Sequence, residues 1–272
     1  MTAPLTIVDA FTSHAFGGNP AAVCVLAAPG DEAWMRLVAR ELAMPATTFL
    51  HPNGDGYGLR WFTATTELEL CGHGTLASAH VLWDSGRLSP DRAATFQTRG
   101  GTLSARRRGD WIELNFPATP AGEASAPAGL IETLGVTPRW IGRSRLDHIV
   151  EVDDEQTVRD LQPDFARLRE VQTRGVIVTS RSATSDRDFV SRFFAPSTGL
   201  NEDPATGSAH CCLGPFWAER IGRRSLVAHQ ISSRGGVLKV TVDGDRVRLE
   251  GQAVTILRGE IALDSSAAHV PT

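Results

Sequence analysis

The stretch Arg99–Leu114 reads RGGTLSARRRGDWIEL, and Arg234–Leu249, which lies 135 positions further on, reads RGGVLKVTVDGDRVRL. Seven of the 16 aligned residues are identical, and the alignment needs no gap. In both stretches alternating apolar segments flank a Gly-Asp pair, which predicts two strands joined by a tight hairpin turn. The chain therefore contains the same piece of antiparallel sheet twice.

Two shorter matches lie upstream in the same order. Arg60–Phe62 resembles Arg192–Phe194 at a separation of 132, and Ser78–His80 is repeated as Ser208–His210 at a separation of 130. Repetition at a nearly constant separation is the sequence signature of a duplicated architecture. We infer an ancient duplication into two similar domains, and we expect His80 and His210 to occupy equivalent positions with a shared packing or hydrogen-bonding role.

The segments between the predicted strands contain one central helix in each half, at residues 73–85 and 207–221. Apolar or small residues surround both helices almost completely, and a helix without a polar face is buried. Pro215 should kink or locally open the second helix. The pattern predicts an α+β fold with domains at 1–117 and 130–255 and a linker at 118–129. A last strand at 256–264 returns to the first domain, and residues 265–272 form a tail.

The composition excludes several classes of protein. Hydrophobic residues make up 42% and charged residues 21% of the 272, as in soluble globular domains, and no run of 18 apolar residues predicts a membrane span. A net charge of −4 offers no basic surface for nucleic acid or an anionic membrane. Because Met1–Ile7 lacks the features of a signal peptide, we expect a cytoplasmic protein.

The cysteine pattern and the missing motifs limit the chemistry further. Four cysteines without a CxxC pair are expected to be thiols rather than disulfides or a structural zinc site. No metal-ligand spacing, nucleotide-binding loop or flavin fingerprint occurs in the sequence. We therefore expect no metal and no cofactor, and a small molecule as the binding partner.

Both central helices begin with a motif of small residues. The first opens with Cys71-Gly72-His73-Gly74, and the second with the segment from Glu202 to Ser208, EDPATGS. Exposed amides and the helix dipole make such an end an anion-binding site. Two equivalent motifs favour a site between the domains that holds a substrate carboxylate and stabilises an enolate-like charge. The alternative is that the glycines merely permit tight turns and that Asp203 and Ser208 merely cap.

The sequence resembles the phenazine-biosynthesis (PhzF) isomerase family, which shares the diaminopimelate epimerase fold. The matching segments cover nearly the whole chain in the expected order: Val8-Asp9-Ala10-Phe11, Phe16-Gly17-Gly18-Asn19-Pro20, Thr47-Thr48-Phe49, Gly72-His73 and the highly specific EDPATGSA of residues 202–209. The resemblance implies two domains, each a curved, mainly antiparallel sheet wrapped around a central helix, with the active site between them.

The resemblance also implies which residues form the site. Asp203 and His73 correspond to the residues that relay protons. The implied substrate-binding residues are Gly72, Gly74, Gly207, Ser208 and Asn19, with Ala46 lining the pocket. Ala46 departs from the family pattern, because known isomerases carry a proton-transferring glutamate at this position. Removal of a general base costs about 10²- to 10⁴-fold in rate.

Cys71 is the candidate replacement for that glutamate. It stands where epimerase relatives carry a proton-abstracting cysteine in a Cys-Gly-Asn-Gly motif, and a helix N-terminus favours the thiolate. The alternative is a small buried thiol that packs against the sheet. The second epimerase cysteine has no counterpart in this chain, because the aligned residues are Pro204, Ala205, Thr206 and Gly207.

These observations predict a cofactor-independent isomerase of secondary metabolism. It would shift a proton and a double bond within a small cyclic amino or imino acid, and the resemblance implies a pyrroline carboxylate or a dihydroaromatic acid. Two alternatives stay open: an amino-acid epimerase that uses Cys71 and Asp203, and a non-catalytic binding protein with the same fold. A homodimer is compatible with each of the three.

Overall fold

A computed structural model describes residues 2–262. The strands are β1 Thr2–Ala10, β2 Asn19–Val25, β3 Ala46–Asn53, β4 Gly56–Phe62, β5 Glu67–Leu68, β6 Ala94–Thr98, β7 Gly101–Arg108, β8 Trp111–Pro117, β9 Gly122–Glu123, β10 Trp140–Arg143, β11 His148–Glu151, β12 Val176–Arg181, β13 Phe189–Ala195, β14 Leu200–Glu202, β15 Ser225–Gln230, β16 Gly236–Asp243, β17 Arg246–Gly251 and β18 Ala253–Ala262. The helices are α1 Glu32–Leu42, α2 Gly72–Asp84, α3 Leu130–Leu134, α4 Glu155–Asp160, α5 Phe165–Glu170 and α6 Gly207–Ile221.

The described chain forms two compact units, residues 2–114 with 251–262 and residues 115–250. In the first unit β1 runs antiparallel to β2 and to β18, β2 parallel to β3, and β3 antiparallel to β4. The sheet continues through the parallel pair β4–β6 to the antiparallel pairs β6–β7 and β7–β8. Helix α2 packs against β1, β2 and β3, and eleven of its 13 residues are buried. The alternating strands and this apolar helix form the core of the unit.

The second unit repeats the same order of strand pairs. β10–β11 is antiparallel, β11–β12 parallel, β12–β13 antiparallel, β13–β15 parallel, and β15–β16 and β16–β17 antiparallel. Its central helix α6 packs against β15 and β16. The units are thus two similar domains of an α+β fold, each with a mainly antiparallel sheet and a buried central helix.

The strand register defines which residues are equivalent in the two units. Phe62 pairs with Glu67 in the first, and Phe194 pairs with Glu202 in the second. The central helix begins five residues after each glutamate, at Gly72 and at Gly207. His80 is therefore the ninth residue of α2, whereas His210 is the fourth residue of α6. The expectation that the two histidines are equivalent is wrong, and the SAH match at a separation of 130 is out of register with the fold.

The segment predicted as a linker, residues 118–129, lies within the second unit, because β9 inside it pairs with β10. The same segment helps α6 to pass through Pro215 without a break. Proline has no amide hydrogen, so it cannot donate to the carbonyl of Cys211 four residues earlier. The amide of Thr119 donates to that carbonyl instead, at 3.1 Å.

The last described strand, β18, belongs to the first unit, because it pairs with β1 along its whole length from Ala253 to Ala262. The predicted tail, residues 265–272, lies outside the described residues. Within the described chain no helix combines the length and the apolar character that a membrane crossing requires.

Candidate active site

The N-termini of the two central helices differ from those of the other helices that are six residues or longer. Aspartate side chains accept hydrogen bonds from first-turn amides at the starts of α1, α4 and α5. At the starts of α2 and α6 the N-cap residues are Cys71 and Thr206, and neither forms a side-chain cap hydrogen bond. Neither first turn contains an acidic residue. Neither central helix therefore carries a carboxylate within its own first turn, and the acidic residue nearest to the start of α6 in the sequence, Asp203, precedes the helix. Helix ends of this kind suit an anionic ligand.

In the first unit, Cys71 and His73 are brought together at the start of α2. Both side chains are buried, and the Cys71 Sγ atom lies 3.6 Å from Nδ1 and 3.9 Å from Nε2 of His73. Burial lowers the pKa of His73 to about 4. The imidazole is therefore neutral at neutral pH, with one ring nitrogen that donates a hydrogen bond and one that accepts.

The other predicted residues of the first unit have different environments. A Cβ atom on Gly74 would lie within 3.0 Å of Trp61, Thr48 and Cys71, so close packing already explains this glycine. Asn19 begins β2 and is fully buried. Ala46 begins β3, pairs with Ala21 and is also fully buried, so its methyl group contributes no accessible surface. Gly72 is the first residue of α2.

In the second unit, Asp203 lies just before α6 in a tight network of hydrogen bonds. Its Oδ2 atom accepts a hydrogen bond of 2.5 Å from the hydroxyl of Thr206. The side chain of Gln230 donates to the Asp203 carbonyl at 2.5 Å and to the Thr206 hydroxyl at 3.1 Å, and it accepts from the Thr206 amide at 2.8 Å. This network fixes the Asp203 carboxylate beside the first turn of α6, where Gly207 and Ser208 lie.

The sequence analysis did not identify Gln230, although its pattern contains a signal. Leu226, Ala228 and Gln230 alternate with outward-facing residues along β15, and all three are buried. A polar residue at an inward position of a strand must find internal hydrogen-bond partners. Such a residue is therefore a candidate for the organisation of a site.

Several alternative acid or base groups are excluded by their surroundings. Glu67 forms ion pairs with Arg60 and Arg99 at 2.6–2.7 Å, so its carboxylate is already neutralised. Burial raises the pKa values of Cys211 and Cys212 to about 12, which keeps both thiols protonated at neutral pH. Among residues 2–262 no group of three His, Cys, Asp or Glu side chains could hold a metal ion.

Two similar α+β domains, each with a mainly antiparallel sheet packed on a buried central helix, define a protein with the diaminopimelate epimerase-like fold. A solved structure of a predicted epimerase from Pseudomonas aeruginosa shares this fold, with a TM-score of 0.72 and 23% identity over 97% of this chain and all of that chain. The chain belongs to the PhzC-PhzF family of phenazine biosynthesis-like proteins, whose family model matches residues 8–259.

Two closer relatives support this assignment. An uncharacterized isomerase of Halalkalibacterium halodurans is 53% identical over 264 residues, which cover 97% of this chain and 100% of the relative. The crystal structure of a PhzF-family protein of Enterococcus faecalis has a TM-score of 0.92 and 38% identity, and the match covers 97% of this chain and 100% of that one. The predicted family and fold are therefore confirmed over almost the full length.

Proposed function

We propose that this protein is an isomerase that moves a proton, and with it a C=C or C=N bond, within a small cyclic amino or imino acid. The observation that carries the proposal is the pair of uncapped N-termini on buried helices. One of them holds Cys71 and neutral His73, and the other holds the Asp203 carboxylate. The relative in Halalkalibacterium halodurans is named an isomerase, which supports the same class of reaction.

The roles of the residues follow from their chemistry. The first-turn amides of α2 and α6, including those of Gly72, Gly207 and Ser208, bind the substrate carboxylate and stabilise the enolate-like charge. Asp203, held by Thr206, takes a proton from one carbon atom. The proton then passes through neutral His73, which accepts it at one ring nitrogen and releases a proton from the other nitrogen to a second carbon. The double bond thereby moves, Asp203 is again a carboxylate, and His73 remains neutral in its other tautomer. This shift occurs within one molecule and involves no net oxidation, so it requires no redox cofactor.

The alanine at position 46 makes a substrate with acidic protons the better fit. A pyrroline carboxylate tautomerises more readily than a dihydroaromatic acid, because its imine nitrogen stabilises the developing negative charge. We therefore propose an unsaturated cyclic imino acid of secondary metabolism as the substrate class. Cys71, in contact with His73, supplies the third acid/base group.

The test is incubation of pyrroline carboxylates and dihydroaromatic acids with the protein in D₂O, followed by NMR. We expect deuterium incorporation together with a displaced double bond. Asp203→Asn should lower the exchange rate by at least ~10²-fold, because it preserves the shape of the side chain and removes its basicity. The control is Asp164→Asn at the N-cap of α5, where, among the described residues, the carboxylate bonds only amides of its own helix and an exposed arginine. Glu202→Gln is unsuitable as a control, because Glu202 forms an ion pair with Arg192.

Other outcomes would replace the proposal. Deuterium incorporation with inversion at the α-carbon and no displaced double bond would identify an epimerase that uses Cys71 and Asp203. Binding of these acids without exchange would identify a non-catalytic binding protein. Equal exchange by the wild type and by Asp203→Asn would remove Asp203 from the reaction.

A further inference from the structure

We propose that Arg174 is a carboxylate-binding residue beside the N-terminus of α6, and that Asp147 is the residue that positions it. This inference deepens the proposed function and rests on it, because it assigns a further contact to the same anionic substrate. All the contacts that it invokes lie within the second unit.

The first observation is the position of the guanidinium group of Arg174. Its Nη2 atom lies 3.5 Å from the hydroxyl oxygen of Ser208, the second residue of α6. The same group donates two hydrogen bonds to Asp147, from Nε to Oδ1 at 2.9 Å and from Nη2 to Oδ2 at 2.5 Å. A guanidinium group that is paired with Asp147 is thereby fixed, with its remaining donors, next to a first turn that has no acidic residue and no side-chain cap.

The second observation is how firmly Asp147 is held. Its side chain is 2% exposed, and its backbone amide donates to the hydroxyl of Ser144 at 3.0 Å. A Cβ atom on residue 175 would lie 2.8 Å from Oδ1 of Asp147, so Gly175 makes room for the carboxylate. The guanidinium carbon of Arg174 also lies 5.7 Å from the centre of the Phe193 ring. The bidentate ion pair with Asp147 and the contact with the Phe193 ring restrict the conformations of the Arg174 side chain. This restriction lowers the entropic cost of ligand binding.

The third observation is that Arg174 keeps donors for a ligand. A guanidinium group carries five N–H bonds, and those on Nη1 have no hydrogen-bond partner among residues 2–262. The side chain is 41% exposed, although the carboxylate behind it is buried. Because the Ser208 oxygen accepts from Arg174, the Ser208 proton stays available. Arginine, serine and the helix amides thus offer donors to one carboxylate.

The fourth observation comes from the internal duplication. Val176 pairs with His148 and Phe194, as Thr47 pairs with Ala22 and Phe62. Counting back along the strands places Pro45 at the position of Arg174 and Ala21 at the position of Asp147. The first unit therefore builds the same sheet without this ion pair, so the fold itself does not require it.

The experiment measures binding of pyrrole-2-carboxylate and of the neutral pyrrole-2-carboxamide by titration calorimetry, with melting temperatures recorded for each variant. We expect Arg174→Gln to weaken carboxylate binding at least tenfold and to leave carboxamide binding within twofold. Arg174→Lys retains the positive charge but not the forked pair of N–H donors, so it should lose less carboxylate affinity than Arg174→Gln. Asp147→Asn should reduce the preference for the carboxylate over the carboxamide, which is a readout that a purely structural role would not change. Arg167→Gln, on exposed α5 of the same unit, is the matched control.

The outcomes separate this inference from the proposed function. Unchanged carboxylate affinity in Arg174→Gln, an equal loss for both probes, or no carboxylate binding by the wild type would overturn it. If Arg174→Gln selectively loses carboxylate affinity while the wild type catalyses no deuterium exchange, the anion site stands and the isomerase proposal fails. If exchange depends on Asp203 while carboxylate binding does not depend on Arg174, the isomerase proposal stands and the role of Arg174 is overturned.

Discussion

Individual side chains at the starts of the two central helices have clearly different contacts. Cys71 and His73 contact each other at the start of α2, whereas Asp203 is tied to Thr206 beside α6. The motifs alone predicted these positions, because small residues before an apolar helix mark an N-terminus. They could not predict Gln230 or Arg174, because both lie at least 20 residues from the α6 motif and reach it only through strand pairing.

The role of Cys71 can be tested by a substitution that replaces only its sulfur atom with oxygen. If its thiol replaces the missing glutamate, Cys71→Ser should lower the deuterium exchange rate by ~10²-fold or more, since a serine hydroxyl is a far weaker acid. Cys24→Ser is the control, because burial raises the pKa of Cys24 to about 12 and this thiol lies in β2. Exchange rates and melting temperatures of both variants provide the measurement. A nearly silent Cys71→Ser would show that the thiol only packs and that His73 and Asp203 suffice.

At the scale of secondary structure, the duplicated strands retain a common ion-pair cluster. Arg60 pairs with Glu67 and lies 5.1 Å from the centre of the Phe62 ring. In the second unit Arg192 pairs with Glu202 and lies 5.0 Å from the centre of the Phe194 ring. The short sequence match between Arg60–Phe62 and Arg192–Phe194 reflects this cluster, because each segment supplies its arginine and its phenylalanine.

The cluster in the second unit should contribute more to stability. Arg192 also donates from Nη1 to the carbonyl of Leu161 at 2.8 Å and is 11% exposed, and Glu202 has no other ion pair among the described residues. Arg192→Ala leaves this carboxylate uncompensated and should cost about 3 kcal/mol of unfolding free energy. Arg60→Ala leaves Glu67 paired with Arg99, so it should cost about 1 kcal/mol. Urea denaturation of both variants measures the difference, and equal losses would contradict the argument.

The sequence predicted some elements much better than others. The periodic segments 73–85 and 207–221 correspond to α2 and α6 within one residue, and the Gly-Asp turns at 109–110 and 244–245 join hairpin strands. The short helices α4 and α5 and the short strands β10 and β11 were not predicted, because four to six residues give too little periodicity. Strand β9, in the segment predicted as a linker, was not predicted for a similar reason. It has two residues, and only their pairing with β10 makes them a strand.

At the scale of the whole molecule, each unit contains one buried, neutral histidine in its central helix. Burial lowers the pKa values of His73 in α2 and His210 in α6 to about 4. Nδ1 of His210 bonds the carbonyl of Thr206 at 2.8 Å, which makes this nitrogen the donor and leaves Nε2 without a proton. Both units thus exclude a positive charge from the core.

This exclusion makes the stability of the protein depend on pH. An unfolded histidine binds a proton below about pH 6.5 and the folded ones only near pH 4, so the unfolded state takes up more protons between these values. Stability is therefore greatest above pH 6.5 and falls as the pH is lowered towards 4. At pH 5 the loss should be about 2 kcal/mol for each histidine. His210→Asn keeps a donor for the Thr206 carbonyl but cannot titrate. Urea unfolding at pH 7 and pH 5 should show that this variant loses about 2 kcal/mol less than the wild type. An identical loss in both proteins would mean that His210 is protonated in the folded state or is not the group that senses pH.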